Sequence, residues 1–190
     1  ERHLREVLQP RLLLFLEATD CLELVGTSGD FRADAVRGPN PSDREVLLEF
    51  GKHSEHWRVF TRAVEIPDRA LVDPLGEAWK RIERVRVSAA VPLGADGLPD
   101  HGRPEPLHIY FPTEEVVGMP MILQGDFALE LDRRHVARTP QAAPFNAWLL
   151  EELATLVGQT VAPALARDHP GEAAILRALV AGGTAVDRIA

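Results

Sequence analysis

The sequence predicts an α+β fold, in which one mixed or mostly antiparallel sheet of about seven strands carries helices packed on it. Short segments with partial period-2 alternation of apolar residues occupy residues 21–131, and turn signals such as Thr-Ser-Gly-Asp and Gly-Pro-Asn-Pro separate them. The period changes to that of a helix over residues 145–166. A run of strands followed by helices indicates a layered α+β domain.

The first 18 residues predict a helical lead-in to this sheet. Pro10 divides the lead-in, because proline has no N–H for a helical hydrogen bond, and the apolar run Arg-Leu-Leu-Leu-Phe-Leu follows it. We therefore divide the chain into a lead-in (1–18), a sheet unit (19–143) and C-terminal helices that pack on the sheet (144–190).

The strands follow one another at short intervals, as in an antiparallel meander. The segment 68–83 predicts a helical or irregular crossing, and 94–106, rich in Gly, Pro and Asp, predicts a long loop. The seven predicted strands are 21–28, 31–38, 44–52, 56–66, 84–93, 107–113 and 120–131.

The C-terminal part predicts two helices. Over residues 145–166, apolar residues such as Leu149, Leu153 and Leu156 form a wide stripe on one face. A second predicted helix, 171–181, stops at a Gly-Gly pair.

Composition restricts the classes of function. The chain is 45% hydrophobic and 26% charged, with a net charge of −8, which argues against a general nucleic-acid binder. It has no apolar run long enough to span a membrane, and its charged first residues lack a secretory h-region. Cys21 is the single cysteine, so no internal disulfide forms. We expect a cytoplasmic protein that binds neither membrane nor nucleic acid.

Several catalytic motifs are absent. The sequence has no phosphate-binding P-loop, no Gly-x-Gly-x-x-Gly dinucleotide turn, no Gly-x-Ser-x-Gly nucleophile elbow and no His-Glu-x-x-His metal motif. A small hydrolase is disfavoured, because no nucleophile–base set is present.

Three further groups of residues each have a structural and a functional interpretation. His53 and His56, with Glu55, could ligate a metal, but a solvated hairpin turn is favoured and no metal site is predicted. Glu114 and Glu115 could act as an acid–base pair, although neighbouring strand residues point to opposite faces. Cys21 is better explained as a small buried residue than as a nucleophile.

The stretch 125–138 raises a sharper question, because an apolar strand leads directly into Arg133 and Arg134. Strand ends that feed loops often carry functional groups. One interpretation is a solvated or salt-bridged arginine pair, since Asp126, Glu130 and Asp132 are close in sequence. The other is a site that needs a cation on a rigid element.

A resemblance bears on this question. The strand ending in Phe111-Pro112-Thr113, the Gly118-Met119-Pro120 link, Asp126-Phe127, Arg133 six residues on and Phe145-Asn146 at a helix start follow one another here. This pattern resembles sacsin and its bacterial relatives, GHKL-type ATPases related to the ninety-kilodalton heat-shock chaperones. It covers roughly residues 8–166 and is most specific over 106–150.

The resemblance implies a middle, transducer-like domain with a ribosomal-S5-domain-2-like architecture and a chaperone-like role. An N-terminal ATP-binding domain of the same protein would hold ATP and Mg²⁺, and a protein client is a further expected partner. Arg133 is the implied contact to the nucleotide γ-phosphate, with Arg134 as the substitute. Neither Lys52 nor Lys80 lies at a comparable strand end, which favours the branch that uses an arginine.

Two alternatives stay open. Asn146 either belongs to the N-cap or first turn of its helix, or contacts the arginine loop. The whole domain is either part of an ATPase or a non-catalytic interaction module in which the arginines are merely salt-bridged.

Overall fold

The computed structural model of the protein describes residues 9–26, 29–100 and 104–170. In these ranges the chain forms one eight-stranded, mostly antiparallel sheet with two α-helices packed on it, which confirms the predicted α+β class. The helices predicted over residues 1–8 and 171–181 lie outside the described residues, as does part of the long loop.

The first five strands form the predicted antiparallel meander, and each pairs with its neighbour in sequence. The hairpin turn before the fourth strand is Gly51-Lys52, with Gly51 at a φ of +61°. The prediction of a turn at residues 53–55 was therefore wrong, because these residues begin the long strand that was predicted to start at residue 56. The strands are β1 (Cys21–Leu24), β2 (Phe31–Arg37), β3 (Asp43–Phe50), β4 (His53–Glu65) and β5 (Arg84–Leu93).

Three short strands complete the sheet: β6 (Pro106–Ile109), β7 (Phe111–Val116) and β8 (Ile122–Gly125). The order across the sheet is β1-β2-β3-β4-β5-β8-β6-β7. The last strand in sequence thus inserts between β5 and β6, antiparallel to β5 and parallel to β6.

Two predicted strands differ from those observed. The segment 107–113 is not one strand, because the backbone bends at Tyr110, whose φ is +60°. The segment 120–131 forms a strand only as far as Gly125. The ladder stops there because the side chain of Asp126 accepts the Arg86 N–H at 2.8 Å, in place of a backbone carbonyl.

One face of the sheet packs against helices α1 (Ala143–Leu156) and α2 (Ala162–Asp168). Phe145 and Leu149 of α1 are fully buried against the sheet. The predicted helix over 145–166 is confirmed in position but is interrupted by a π-helical turn, Val157–Val161. Pro163 accounts for the interruption, because its ring opposes the carbonyl one turn earlier and it donates no hydrogen bond.

The other face packs against the 3-10 helix Pro10–Leu14. Leu13 and Leu14 are fully buried there beside Trp57. Arg37 fixes this segment by donating hydrogen bonds to the carbonyls of Leu13, Leu16 and Thr19. The sheet is therefore the middle layer, and its β6–β7–β8 end carries the residues singled out by sequence.

Candidate functional site

The arginine pair lies at the tip of a small hairpin, residues 128–137, which we call the arginine hairpin. Its arms are joined by the bridge Leu129↔Val136 and by backbone hydrogen bonds of 2.9 Å, from Glu130 N–H to the His135 carbonyl and from Ala137 N–H to the Ala128 carbonyl. The sequence predicted a strand followed by a loop, so the return arm was missed.

The tip of the hairpin is organised by Asp132. Its Oδ1 accepts the backbone N–H groups of Arg134 at 2.9 Å and of His135 at 3.3 Å. An aspartate that accepts from the backbone two residues on forms an Asx turn, which fixes the backbone locally. Asp132 thus orders the turn on which Arg133 lies.

Arg133 adopts an unusual backbone conformation with a φ of +58°. Among the residues that the structure describes, Tyr110 and Arg133 alone combine a side chain beyond Cα with a positive φ. A left-handed φ costs a residue with a Cβ about 1–2 kcal/mol. Strain of this kind tends to concentrate at functional sites.

The side chains of the two arginines differ in their partners. Arg134 forms an ion pair with Glu114 of β7. In the described ranges, the Arg133 guanidinium has neither an ion-pair nor a hydrogen-bond partner, and its side chain lines an open groove. The geometry therefore distinguishes the two residues, which the sequence alone could not do.

His135 joins the hairpin to β7 through two carboxylates. Its Nδ1 lies 2.7 Å from Asp132 Oδ2, and its Nε2 lies 3.1 Å from Glu114 Oε2. The hydrogen bond with Asp132, aided by the negative charges around the ring, raises the pKa of His135 above its ordinary value. The Glu114 N–H also donates to the Arg134 carbonyl at 2.8 Å. The hairpin is thus attached to the edge strand by side chains and backbone.

Asn146 holds the base of the hairpin. It is buried in the first turn of α1, its Oδ1 accepts the Ala128 N–H at 2.9 Å, and its Nδ2 donates to the carbonyls of Ala128 at 3.0 Å and Ala137 at 2.8 Å. Ala142 is the N-cap of α1. Asn146 therefore lies in the first turn without capping it, and it contacts the arginine hairpin.

Asp126 and Phe127 connect β8 to the hairpin. Burial raises the pKa of Asp126, and the Arg86 N–H that it accepts opposes this shift. Phe127 is buried beneath the hairpin, and its ring would lie 2.8 Å from a Cβ placed on Gly125. Both residues have structural roles in positioning the hairpin.

The groove beside Arg133 has a volume of about 840 Å³. Its walls include Leu12 and Leu16 of the N-terminal segment, together with residues of the β6–β7 bend and the hairpin tip. Phe111 is 47% exposed and Leu131 is fully exposed. The site thus presents the Arg133 cation, which has no ion-pair partner in the part of the chain that the structure describes, beside apolar side chains and Glu130.

Tyr110, which also lines the groove, was missed by sequence reasoning. Burial raises the pKa of its hydroxyl, and the negative charge of Asp126 acts in the same direction. In sequence, Tyr110 lies within an apolar run that is typical of a continuous strand. No signal in that run indicates the left-handed bend.

The remaining sequence candidates lie elsewhere. Glu55 receives hydrogen bonds from Arg11 and from the Trp57 indole, and His56 pairs with Glu45. His53 occupies the start of β4, and within the described ranges no three His, Cys, Asp or Glu side chains form a metal-binding group.

Glu114 forms an ion pair with Arg134 of the hairpin, and Glu115 forms one with Arg138 just after it. They do not form a mutual acid–base pair. Cys21 begins β1, and desolvation raises its pKa, which disfavours the nucleophilic thiolate.

No protein-family model, no curated protein and no solved structure matches this chain. Within the described ranges, no helix is long and apolar enough to cross a membrane. The fold and site define an α+β domain whose hairpin presents an arginine to a groove, and the resemblance to sacsin and the heat-shock chaperones stays a prediction.

Proposed function

We propose that this chain is the middle, transducer-like domain of a cytoplasmic GHKL-type ATPase with a chaperone-like role. Arg133 contributes its guanidinium to the terminal phosphate of ATP held with Mg²⁺ by the preceding domain. The coupling of ATP state to conformation would then act through the arginine hairpin, with a protein client as a further partner.

The observation that supports this proposal most directly is the Arg133 side chain. It carries a permanent charge, has no acidic partner in the described ranges, and borders an open groove. Phosphoryl transfer spreads negative charge over oxygens, and a guanidinium brought in by domain closure stabilises that charge. Arg134 is the weaker candidate because Glu114 already neutralises it.

The hairpin also satisfies the requirement for a rigid base. Asp132 fixes its tip, His135 and Arg134 attach it to β7, and Asn146 fixes its two arms. A charge that stabilises a transition state acts best when it is preorganised. This chain would not hydrolyse ATP alone, because the nucleotide-binding motifs are absent from its sequence.

The test is ATP turnover in the protein that contains both domains. Arg133→Ala should lower turnover at least about tenfold, the effect of losing about 1.4 kcal/mol of transition-state stabilisation, with a smaller effect on nucleotide affinity. Arg134→Ala is the matched control and should have a smaller effect. Unchanged turnover in Arg133→Ala would exclude this role of the arginine.

A second candidate is a non-catalytic protein-interaction module without a nucleotide-sensing arginine. The exposed apolar side chains of Phe111 and Leu131 favour it, since such residues contribute readily to interfaces. In that case Leu131→Ser would weaken partner binding, whereas Arg133→Ala would leave ATP turnover unchanged.

A further inference from the structure

A second cavity, separate from the Arg133 groove, lies between the end of β7, the return arm of the arginine hairpin and the first turns of α1. Its volume is about 260 Å³. The side chains around it are mainly apolar and include Leu107, Val117, Phe127, Val136, Ala147 and Leu150.

The size and chemistry of this cavity suit a small apolar body. A dry apolar cavity of about 150 Å³ is large enough to hold benzene. The amide of Asn146 also borders the cavity, but its three hydrogen bonds to the backbone occupy it. The interior of the cavity therefore offers carbon surface rather than polar groups.

Charged groups border the same cavity at its solvent side. Arg138 is 66% exposed at its side chain, and Glu115 is 18% exposed. The Arg138 Nη2 lies 3.3 Å from each Glu115 oxygen, which is long for a charge-assisted hydrogen bond. No residue in the described ranges accepts from Nη1 or Nε of Arg138. The guanidinium thus retains donors for a second acceptor.

Two other arginines of the described fold, Arg11 and Arg58, each bind two carboxylates at once. Arg11 donates to Glu55 at 2.9 and 3.0 Å and to Glu105 at 2.9 Å. Arg58 pairs in the same way with Asp43 and Asp168. Arg138 holds one carboxylate, next to an apolar cavity.

We propose that this cavity binds a small monocarboxylic acid with an aromatic or branched aliphatic body of roughly six to ten heavy atoms. The apolar body occupies the cavity, and the carboxylate accepts hydrogen bonds from Arg138 alongside Glu115. The site does not depend on the role proposed for Arg133.

Benzoate and toluene form a matched pair of probes, because they share a ring and differ in the carboxylate. Calorimetric titration of the protein should show that benzoate binds more tightly than toluene. Arg138→Gln should weaken benzoate binding at least about tenfold, the usual size of a lost hydrogen bond to a charged group, and leave toluene binding unchanged.

The location is tested by Ala147→Leu, which places a larger side chain in the cavity. It should weaken both probes, whereas Ala154→Leu, at a position that is equally exposed on the same helix but does not line the cavity, should weaken neither. Benzoate affinity that survives Ala147→Leu would overturn the location. Equal affinity for the two probes, an unchanged affinity in Arg138→Gln, or no benzoate binding would overturn the ligand class.

Discussion

Replacing Arg133 with glycine, and separately with alanine, distinguishes the effect of its backbone strain from the effect of its charge. Arg133 has a φ of +58°, a conformation that glycine adopts without a steric penalty. Arg133→Ala removes the same guanidinium but retains the Cβ and its strain. The two variants therefore differ in strain and share the loss of charge.

The expected magnitudes follow from this geometry. Relief of a left-handed φ is worth about 1–2 kcal/mol, and the greater chain entropy of glycine offsets about 0.5–1 kcal/mol of it. Arg133→Gly should thus be more stable than Arg133→Ala by up to about 1.5 kcal/mol. In a chain of 190 residues each difference of about 1 kcal/mol corresponds to a change in Tm of about 2–4 °C.

Thermal unfolding of the variants checks the expected difference in stability. ATP turnover of the two-domain protein that carries each variant checks the role of the charge. Both variants should lose turnover at least about tenfold, although one of them gains stability. A glycine variant less stable than the alanine variant would refute the strain argument. Full turnover in either variant would refute the proposed role of the guanidinium.

Three other substitutions test buried positions: Asn146 at the base of the arginine hairpin, His108 in β6 and Gly125 in β8. Asn146→Ala should lower the free energy of unfolding by about 2 kcal/mol or more in urea titrations, since the Ala128 N–H and the Ala137 carbonyl lose their partner and the Ala128 carbonyl loses one of its two donors; a loss below about 1 kcal/mol would contradict this. Burial and the charge of Arg11 lower the pKa of His108 from 6.5 to about 4. The fold therefore holds the neutral ring, and its stability should be full above pH 6.5 and fall by about 3 kcal/mol as the pH drops to about 4. His108→Gln should remove that dependence, and a wild-type stability that is flat over this range would disprove it. Gly125→Ala should destabilise the fold by about 1–3 kcal/mol, because the new Cβ would meet the Phe127 ring at 2.8 Å, and unchanged stability would show that the ring moves freely.

Local patterns were sufficient to predict much of the fold. Period-2 alternation located the meander, and the helical stripe located α1, in which Leu149, Leu153 and Leu156 are buried. Both patterns arise because one face of a strand or helix is buried in the core. The apolar residues of that face recur at a fixed spacing along the sequence.

The other half of the sheet depended on contacts that are distant in sequence. The ladder of β8 ends because Asp126 accepts a hydrogen bond from Arg86, 40 residues earlier. The bend at Tyr110 has a left-handed φ that an aromatic residue does not favour by itself. Neither feature has a local signature, so the alternation of apolar residues predicted longer strands than those observed.

The choice between Arg133 and Arg134 shows the same limit at the site. Adjacent arginines are equivalent in sequence, and Glu114, which distinguishes them, lies 20 residues before Arg134. A left-handed position in a tight turn suits glycine or asparagine, yet this turn carries an arginine with no acidic partner in the described ranges. Such a residue lowers stability, and its side chain gains no ion pair or hydrogen bond within the described fold. The proposed role for its guanidinium outside this domain would explain why the strain is kept. The comparison of the glycine and alanine variants measures both the stability that the strain costs and the ATP turnover that depends on the guanidinium.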